Sequence, residues 1–188
     1  GVPDNPMARQ AVGSTNFAVR EINVNPEAVN VTLADRPPQE QFEAALGVIA
    51  HEVGHGRYTS SDPALIQGHV GHLFNIIEDD RIERIMGGKY GIVRKPLRRA
   101  SQCILRRNTQ GLRENQIALG QPDAKLCSSD VKTDVADYLL RKLIATRAGQ
   151  PEVLADSELH PNNQPIWDQV WPLVQKAVVA DTSEECYE

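Results

Sequence analysis

His51-Glu52-Val53-Gly54-His55 is the stretch on which the reading of this chain turns. Two histidines stand four apart, with a glutamate directly after the first, in the pattern H-E-x-x-H. On an α-helix, residues i and i+4 lie one turn apart on the same face. Both imidazoles then reach one metal ion, and the glutamate comes close to a water held on that ion. The chemistry served by such a set is metal-assisted hydrolysis. Zinc lowers the pKa of a bound water to about 7, and the carboxylate takes the proton as that water attacks a carbonyl. His51 and His55 are therefore expected as zinc ligands and Glu52 as the general base.

Five residues with three fixed identities recur by chance, and two histidines without a metal are the plain alternative. The context argues for the motif. Phe42 to Ala50 is largely apolar, with few helix breakers, and suits a buried helix. Asp35-Arg36-Pro37-Pro38 gives a start signal, since proline is tolerated in a first helical turn. The spacing predicts a helix over about 38–57 with the motif near its end.

Catalytic zinc takes three protein ligands and leaves a fourth position open. A third histidine in the spacing H-E-x-x-H-x-x-G-x-x-H is absent: Tyr58 and Ser61 occupy the relevant places. The remaining source is a carboxylate from a second helix. Ser61-Asp62-Pro63 starts one and Gly87-Gly88 stops it, predicting a helix over about 63–86. Four acids compete there: Glu78, Asp79, Asp80 and Glu83. At about 100° per residue, Val70, Phe74, Ile77, Ile82 and Ile85 share one broad apolar face, with Glu78 in its middle. A lone carboxylate on such a face is costly unless it is paired or binds a metal. Glu78 is thus the expected third ligand, with a buried salt bridge to an arginine as its alternative. Asp79, Asp80 and Glu83 read as solvated, some of them orienting His51 or His55 from behind.

With these residues in view, the chain resembles the zincin metallopeptidases of gluzincin type. More narrowly, "HEVGHGRYT" followed by "NIIEDDRIE" is similar to the peptidase-like module that precedes von Willebrand A domains in bacterial and phage proteins, some of them related to a cobaltochelatase subunit. The close match covers about residues 45 to 86. The resemblance implies an α+β, mostly helical, zincin-like fold: a small N-terminal β-sheet beside an active-site helix and a ligand helix, then a helical C-terminal part. It also implies zinc-dependent peptide hydrolysis, with His51, His55 and Glu78 as ligands. One departure stands out. In the thermolysin pattern the glutamate directly follows an asparagine and an aspartate lies one turn on. Here Asn75 is three residues before Glu78, and Ile82 stands four after it. The supporting carboxylate is left open, with Asp79 and Glu83 as candidates.

The 188 residues suffice for one domain with a sizeable core; formal charge is −5, 40% of residues are apolar, and no run approaches a membrane span. Cys103, Cys127 and Cys186 are odd in number, widely spaced and outside any C-x-x-C pair. They read as free thiols of a reducing, cytoplasmic compartment, or at most one disulfide. Residues 1–16 read as a loose arm, 17–180 as a single domain, and 181–188 as a polar tail or the start of a linker, with the natural protein expected to continue beyond it. Phe17 to Val24 and Val29 to Leu33 read as two short strands whose edge would receive an extended substrate. Further helices are expected from Asp130 to about Ala148 and from Pro165 to about Ala180, the second burying Trp167, Val170, Trp171 and Val174.

Between Ile85 and Arg113 lie eight basic residues and no acid. Through Arg94, Arg98, Arg99, Arg106 and Arg107 this segment could bind nucleic acid or an acidic peptide. The plainer reading is an arginine-rich helical face paired with acids elsewhere. His69 and His72, with Asp79 or Glu83, could form a second, weaker metal site. Tyr58, Tyr90, Arg94 and His160 are candidates for stabilising the oxyanion of a tetrahedral intermediate, Tyr90 and Arg94 first because they follow the ligand helix closely. Besides a peptidase acting on a protein or peptide, the sequence admits a catalytically inactive zincin scaffold that recruits a partner protein, or a nucleic-acid binder.

Overall fold

The computed structural model describes residues 12–19, 21–60, 71–118, 120, 126–127, 130–149, 151–155 and 157–187. They are mostly helical, with a two-stranded antiparallel sheet. In chain order the elements are β1 (Gly13–Asn16), β2 (Glu21–Val24), α1 (Pro26–Thr32), α2 (Pro38–Tyr58), α3 (Gly71–Lys89), α4 (Arg94–Ala118), α5 (Val131–Ala148), α6 (Gln164–Ala177) and α7 (Ser183–Tyr187), with short 3₁₀ turns at Gly91–Val93, Pro151–Leu154 and Pro161–Asn163. Contacts group the chain into two compact units, one of residues 1–58 with 82–107, the other of 59–81 with 108–188. Among the described residues no helix is long and apolar enough to cross a membrane.

In the first unit β1 and β2 pair in the register Gly13 with Val24 through Asn16 with Glu21. The sequence places a strand at 17–24, but Phe17, Ala18 and Val19 form the turn, and Gly13–Asn16, read as part of a loose arm, is the first strand. The second expected strand, 29–33, lies in α1 and the turn after it. Its start explains why. Asn25 Oδ1 accepts from the Ala28 amide at 3.1 Å, Pro26 occupies the first turn and Glu27 faces the positive helix end. Val29 and Leu33, four apart, then share one buried face. A cap followed by a helical i, i+4 pair outweighs the β-branched residues that suggested a strand.

Val29, Leu33, Ala44, Val48, Ala100 and Cys103 form one core of this unit, with Val12 and Val24 against it. Ala50, Met86 and Leu97 form another, with Val53, Tyr58 and Val93. Helix α2 and the start of α4 touch backbone to side: a Cβ on Gly47 would stand 2.0 Å from the Pro96 carbonyl oxygen. Much of the basic face of α4 is spent on neighbouring acids. Lys95 meets Glu43 at 2.5 Å, Arg99 lies 3.3 Å from Glu40, and Arg106 lies 2.7 Å from Asp35.

The second unit is built on Ile76, Val135, Ala136, Leu139, Leu143, Trp167, Val174 and Val178. Trp167 stacks on Trp171 at 5.2 Å and meets Tyr138 edge-on at 4.8 Å. The tail expected as a linker contributes α7 instead, where Ser183 and Cys186 are buried. Ser183 draws the tail in: its Oγ accepts from the Ser60 amide at 2.9 Å and donates to Glu78 Oε1 at 2.8 Å. Glu78 also holds Arg81 in a two-pronged pair at 2.7 and 2.6 Å, and Arg81 reaches the Asp181 carbonyl at 3.1 Å.

Two outcomes follow. Removing the cation but not the buried acid, as in Arg81→Met, is expected to cost about 3–5 kcal/mol in urea unfolding, because Glu78 would be left uncompensated. Burial and the neighbouring Glu78 charge push the Cys186 thiol up to about 11, with Arg81 opposing. At pH 8 a maleimide is therefore expected to modify exposed Cys127 in the native chain, and buried Cys103 and Cys186 only after unfolding; rapid native labelling of Cys186, read by mass spectrometry, would contradict this packing.

Candidate metal centre

The motif lies where the pattern places it, in the last turns of α2 (Pro38–Tyr58). His51 and His55 project from one face, their rings edge to face at 4.7 Å between centroids. His51 Nε2 and His55 Nε2 are 3.1 Å apart. Two nitrogens in a tetrahedral shell with bonds of about 2.05 Å stand about 3.3 Å apart. The pair is thus spaced as two ligands of one ion are spaced. Gly54 between them keeps the neighbouring helix close, since a Cβ there would lie 3.2 Å from Met86 and 3.3 Å from Ile82.

His51 is oriented from behind. Its Nδ1 donates to Glu83 Oε1 at 2.8 Å, and its Nε2 faces His55. Glu83 is only 5% exposed, and its other oxygen lies 3.3 Å from Ser101 Oγ, a hydroxyl that also reaches the Leu97 carbonyl at 3.0 Å. A carboxylate behind a histidine fixes its tautomer and raises its basicity toward a metal. The sequence named Glu83 as one of two candidates for this position. Ser101 is not legible in the sequence: a serine inside a basic helix carries no signal of its partner.

Helix α3 runs unbroken through Glu83, and Asp79 stands one turn before it. One donor atom from each of His51, His55 and Asp79 lies within 4.8 Å of the others. Among the described residues this is the group of three or more such side chains able to hold a metal ion. Two imidazoles and a carboxylate are a donor set that zinc accepts, so the residues fit the ion.

Glu78, the third ligand expected from the sequence, is not in this group. Its carboxylate is taken up by Arg81, by Ser183 and by Thr59 Oγ1 at 2.8 Å. This is the buried salt bridge named as its alternative. The helical wheel misled because it assumed one apolar face. Burial in fact runs right round α3: Glu78, Asp80, Arg81 and Glu83 are all at most 5% exposed. Asp80, read as solvated, is wholly buried against Arg147 at 2.6 Å.

Glu52 follows His51 and is 6% exposed. Its Oε2 accepts from Thr15 Oγ1 on β1 at 2.7 Å, a hydroxyl that also lies 3.0 Å from the Glu52 carbonyl. The oxyanion candidates are engaged elsewhere. Arg94 Nη2 donates to the Gly87 carbonyl at the end of α3, at 2.9 Å. Tyr90 hydrogen-bonds Tyr58, whose hydroxyl is held below the usual tyrosine range by that bond first and then by the charge of Lys89. The Lys89 ammonium lies 4.8 Å over the Tyr58 ring. His160 caps a 3₁₀ turn, its Nδ1 accepting from the Asn162 amide at 3.3 Å. His69 and the side chain of His72, the basis of a second metal site, fall outside the described residues.

These positions separate two assignments. In competition with a chromophoric chelator, Asp79→Asn is expected to weaken zinc binding sharply, and Glu83→Gln by about 10–100-fold. Glu78→Gln is expected to keep full zinc stoichiometry while lowering thermal stability. Zinc loss in Glu78→Gln, with Asp79→Asn unaffected, would restore Glu78 as the ligand.

No family model, curated protein or solved structure matches this chain, so the site is read from its own residues.

Proposed function

We propose that this chain is a zinc-dependent metallopeptidase of zincin type, acting on a protein or peptide substrate, with His51, His55 and Asp79 as the residues that hold the ion. The observation that carries the proposal is the 3.1 Å approach of the two Nε2 atoms, with His51 locked from behind by Glu83 at 2.8 Å. A 3.1 Å approach of two ring nitrogens is satisfied by one shared proton or by one cation held by both rings. The carboxylate behind His51 and the Asp79 oxygen beside the pair favour the cation.

When bound, zinc supplies a Lewis acid that polarises a carbonyl and brings the pKa of a water to about 7. The chain's own residues do the rest. His51 and His55 keep their facing nitrogens fixed, and Glu83 with Ser101 keeps the His51 ring from turning. Glu52 takes a proton from the attacking water as its oxygen bonds to the peptide carbonyl carbon. The same carboxylic acid then gives that proton to the leaving nitrogen as the carbon–nitrogen bond breaks, which closes the balance. The three free thiols agree with a cytoplasmic setting.

A second reading draws on a specific observation. Glu52 is only 6% exposed and already hydrogen-bonded to Thr15. A zincin-like scaffold that binds a partner protein without cleaving it would look the same. Nucleic-acid binding has less behind it, because Arg99 and Arg106 are paired with Glu40, Glu43 and Asp35.

Zinc-loaded chain is expected to hydrolyse a mixture of quenched fluorescent peptides, and Glu52→Gln to lower turnover by about 10²–10⁴-fold while still binding one zinc per chain. Equal hydrolysis by Glu52→Gln, or a chain that takes up no zinc, would defeat the peptidase reading.

A further inference from the structure

We propose that strand β1 is a strap that masks Glu52, so that the chain as folded here is a latent form opened by displacement of the β1–β2 hairpin. The inference rests on Glu52 being the general base. It goes beyond that reading in assigning the control of the site to a named element.

A general base needs one carboxylate oxygen open toward the water it deprotonates. Here both oxygens of Glu52 face β1. Oε2 accepts the short, charge-assisted bond from Thr15 at 2.7 Å. Oε1 lies against Gly13: a Cβ at that position would stand 2.7 Å from Oε1 and 2.6 Å from Val48 Cγ1. Only a glycine lets the strand lie this close over the carboxylate. A residue that merely oriented Glu52 would bind one oxygen and leave the other free. Gly13 and Thr15, alternate residues of one strand, stand against the two oxygens.

The hairpin is also suited to moving. It has two strands of four residues, and isolated two-stranded hairpins are marginal in water. Glu21, Ile22 and Asn23 of β2 are exposed. The hairpin lies on α2: Val12 and Val24 pack on the core there, Gly13 stands against Val48, and the Asn25 amide donates to the Val12 carbonyl at 2.8 Å. Elements with few buried apolar contacts open at low free-energy cost. The Thr15–Glu52 bonds are the polar catch between β1 and α2. A protein or peptide segment that pairs with β2 in place of β1 would release it.

The test measures access to Glu52 without relying on turnover. The intact chain is treated with a water-soluble carbodiimide and glycine ethyl ester, and Glu52 modification is followed by mass spectrometry, with buried Glu83 as the internal reference. Thr15→Val keeps the shape and removes the hydroxyl; Gly13→Ala forces the strand off by sterics alone. Both are expected to raise Glu52 labelling about tenfold or more, the weight of one hydrogen bond to a charged group. Glu83 labelling stays low, hydrogen exchange of 13–24 quickens, and Thr15→Ser behaves as wild type. The zinc-loaded Thr15→Val and Gly13→Ala chains are expected to gain peptide hydrolysis in the same proportion. Unchanged Glu52 labelling in both variants would overturn the strap, as would wild-type hydrolysis equal to theirs. Labelling that rises while zinc-loaded variants stay inert upholds the masking and counts against the peptidase reading alone.

Discussion

An ionised carboxylate is tolerated inside a protein only where a cation or donors meet it, and helix α3 (Gly71–Lys89) carries three such groups in six residues. Each has its own solution. Glu78 pairs with Arg81 on the same helix and gathers Thr59 and Ser183. Asp80 takes Arg147 from α5. Glu83 takes the Nδ1 proton of His51. The rest of the structure follows from satisfying these acids. The first draws in the C-terminal helix α7, the second ties α5 to α3, and the third sets the orientation of the histidine pair.

The last pairing turns a stability problem into chemistry. With Nδ1–H committed to Glu83, His51 turns its Nε2 toward the corresponding atom of His55, 3.1 Å away. One proton on His55 satisfies the pair, and so does one cation held by both rings. Asp79, one turn before Glu83, places a carboxylate within the same 4.8 Å group. Metal affinity in such a set depends on ligands held in place before the ion arrives, and the buried Glu83–Ser101 contact supplies that stiffness. Glu52 stands apart from this logic, since its carboxylate is turned to β1 rather than left open.

Much of the architecture was legible. Helix α2 is predicted at 38–57 and runs Pro38–Tyr58; the predicted helix from Asp130 to about Ala148 is α5, with Asp130 Oδ1 capping the Thr133 amide at 2.9 Å. Caps, prolines and apolar periodicity act within a few residues, so they can be read locally. The departures differ in origin. Val29–Leu33 is strand-like by its β-branched residues, but the Asn25 cap and the shared burial of Val29 and Leu33 make it helical. Glu78 stands out in the sequence only if a single face of α3 is buried, whereas Asp80, Arg81 and Glu83 are buried too. The 181–188 tail reads as a linker because Ser183, which anchors it, finds its partners Ser60, Glu78 and Arg81 more than a hundred positions away.

What the sequence determined by itself is the histidine pair: a four-residue spacing on a capped, apolar helix brings two imidazoles to one face whatever surrounds them. It also determined that the acids of α3 needed partners. Which acid meets the histidines, which is consumed by an arginine, and which strand lies over Glu52 were decided only by the tertiary structure. Those choices depend on contacts such as Arg81 with Ser183 and Thr15 with Glu52, separated by 102 and 37 residues. No local periodicity encodes such pairings; they emerge when packing decides which buried charge each side chain can reach.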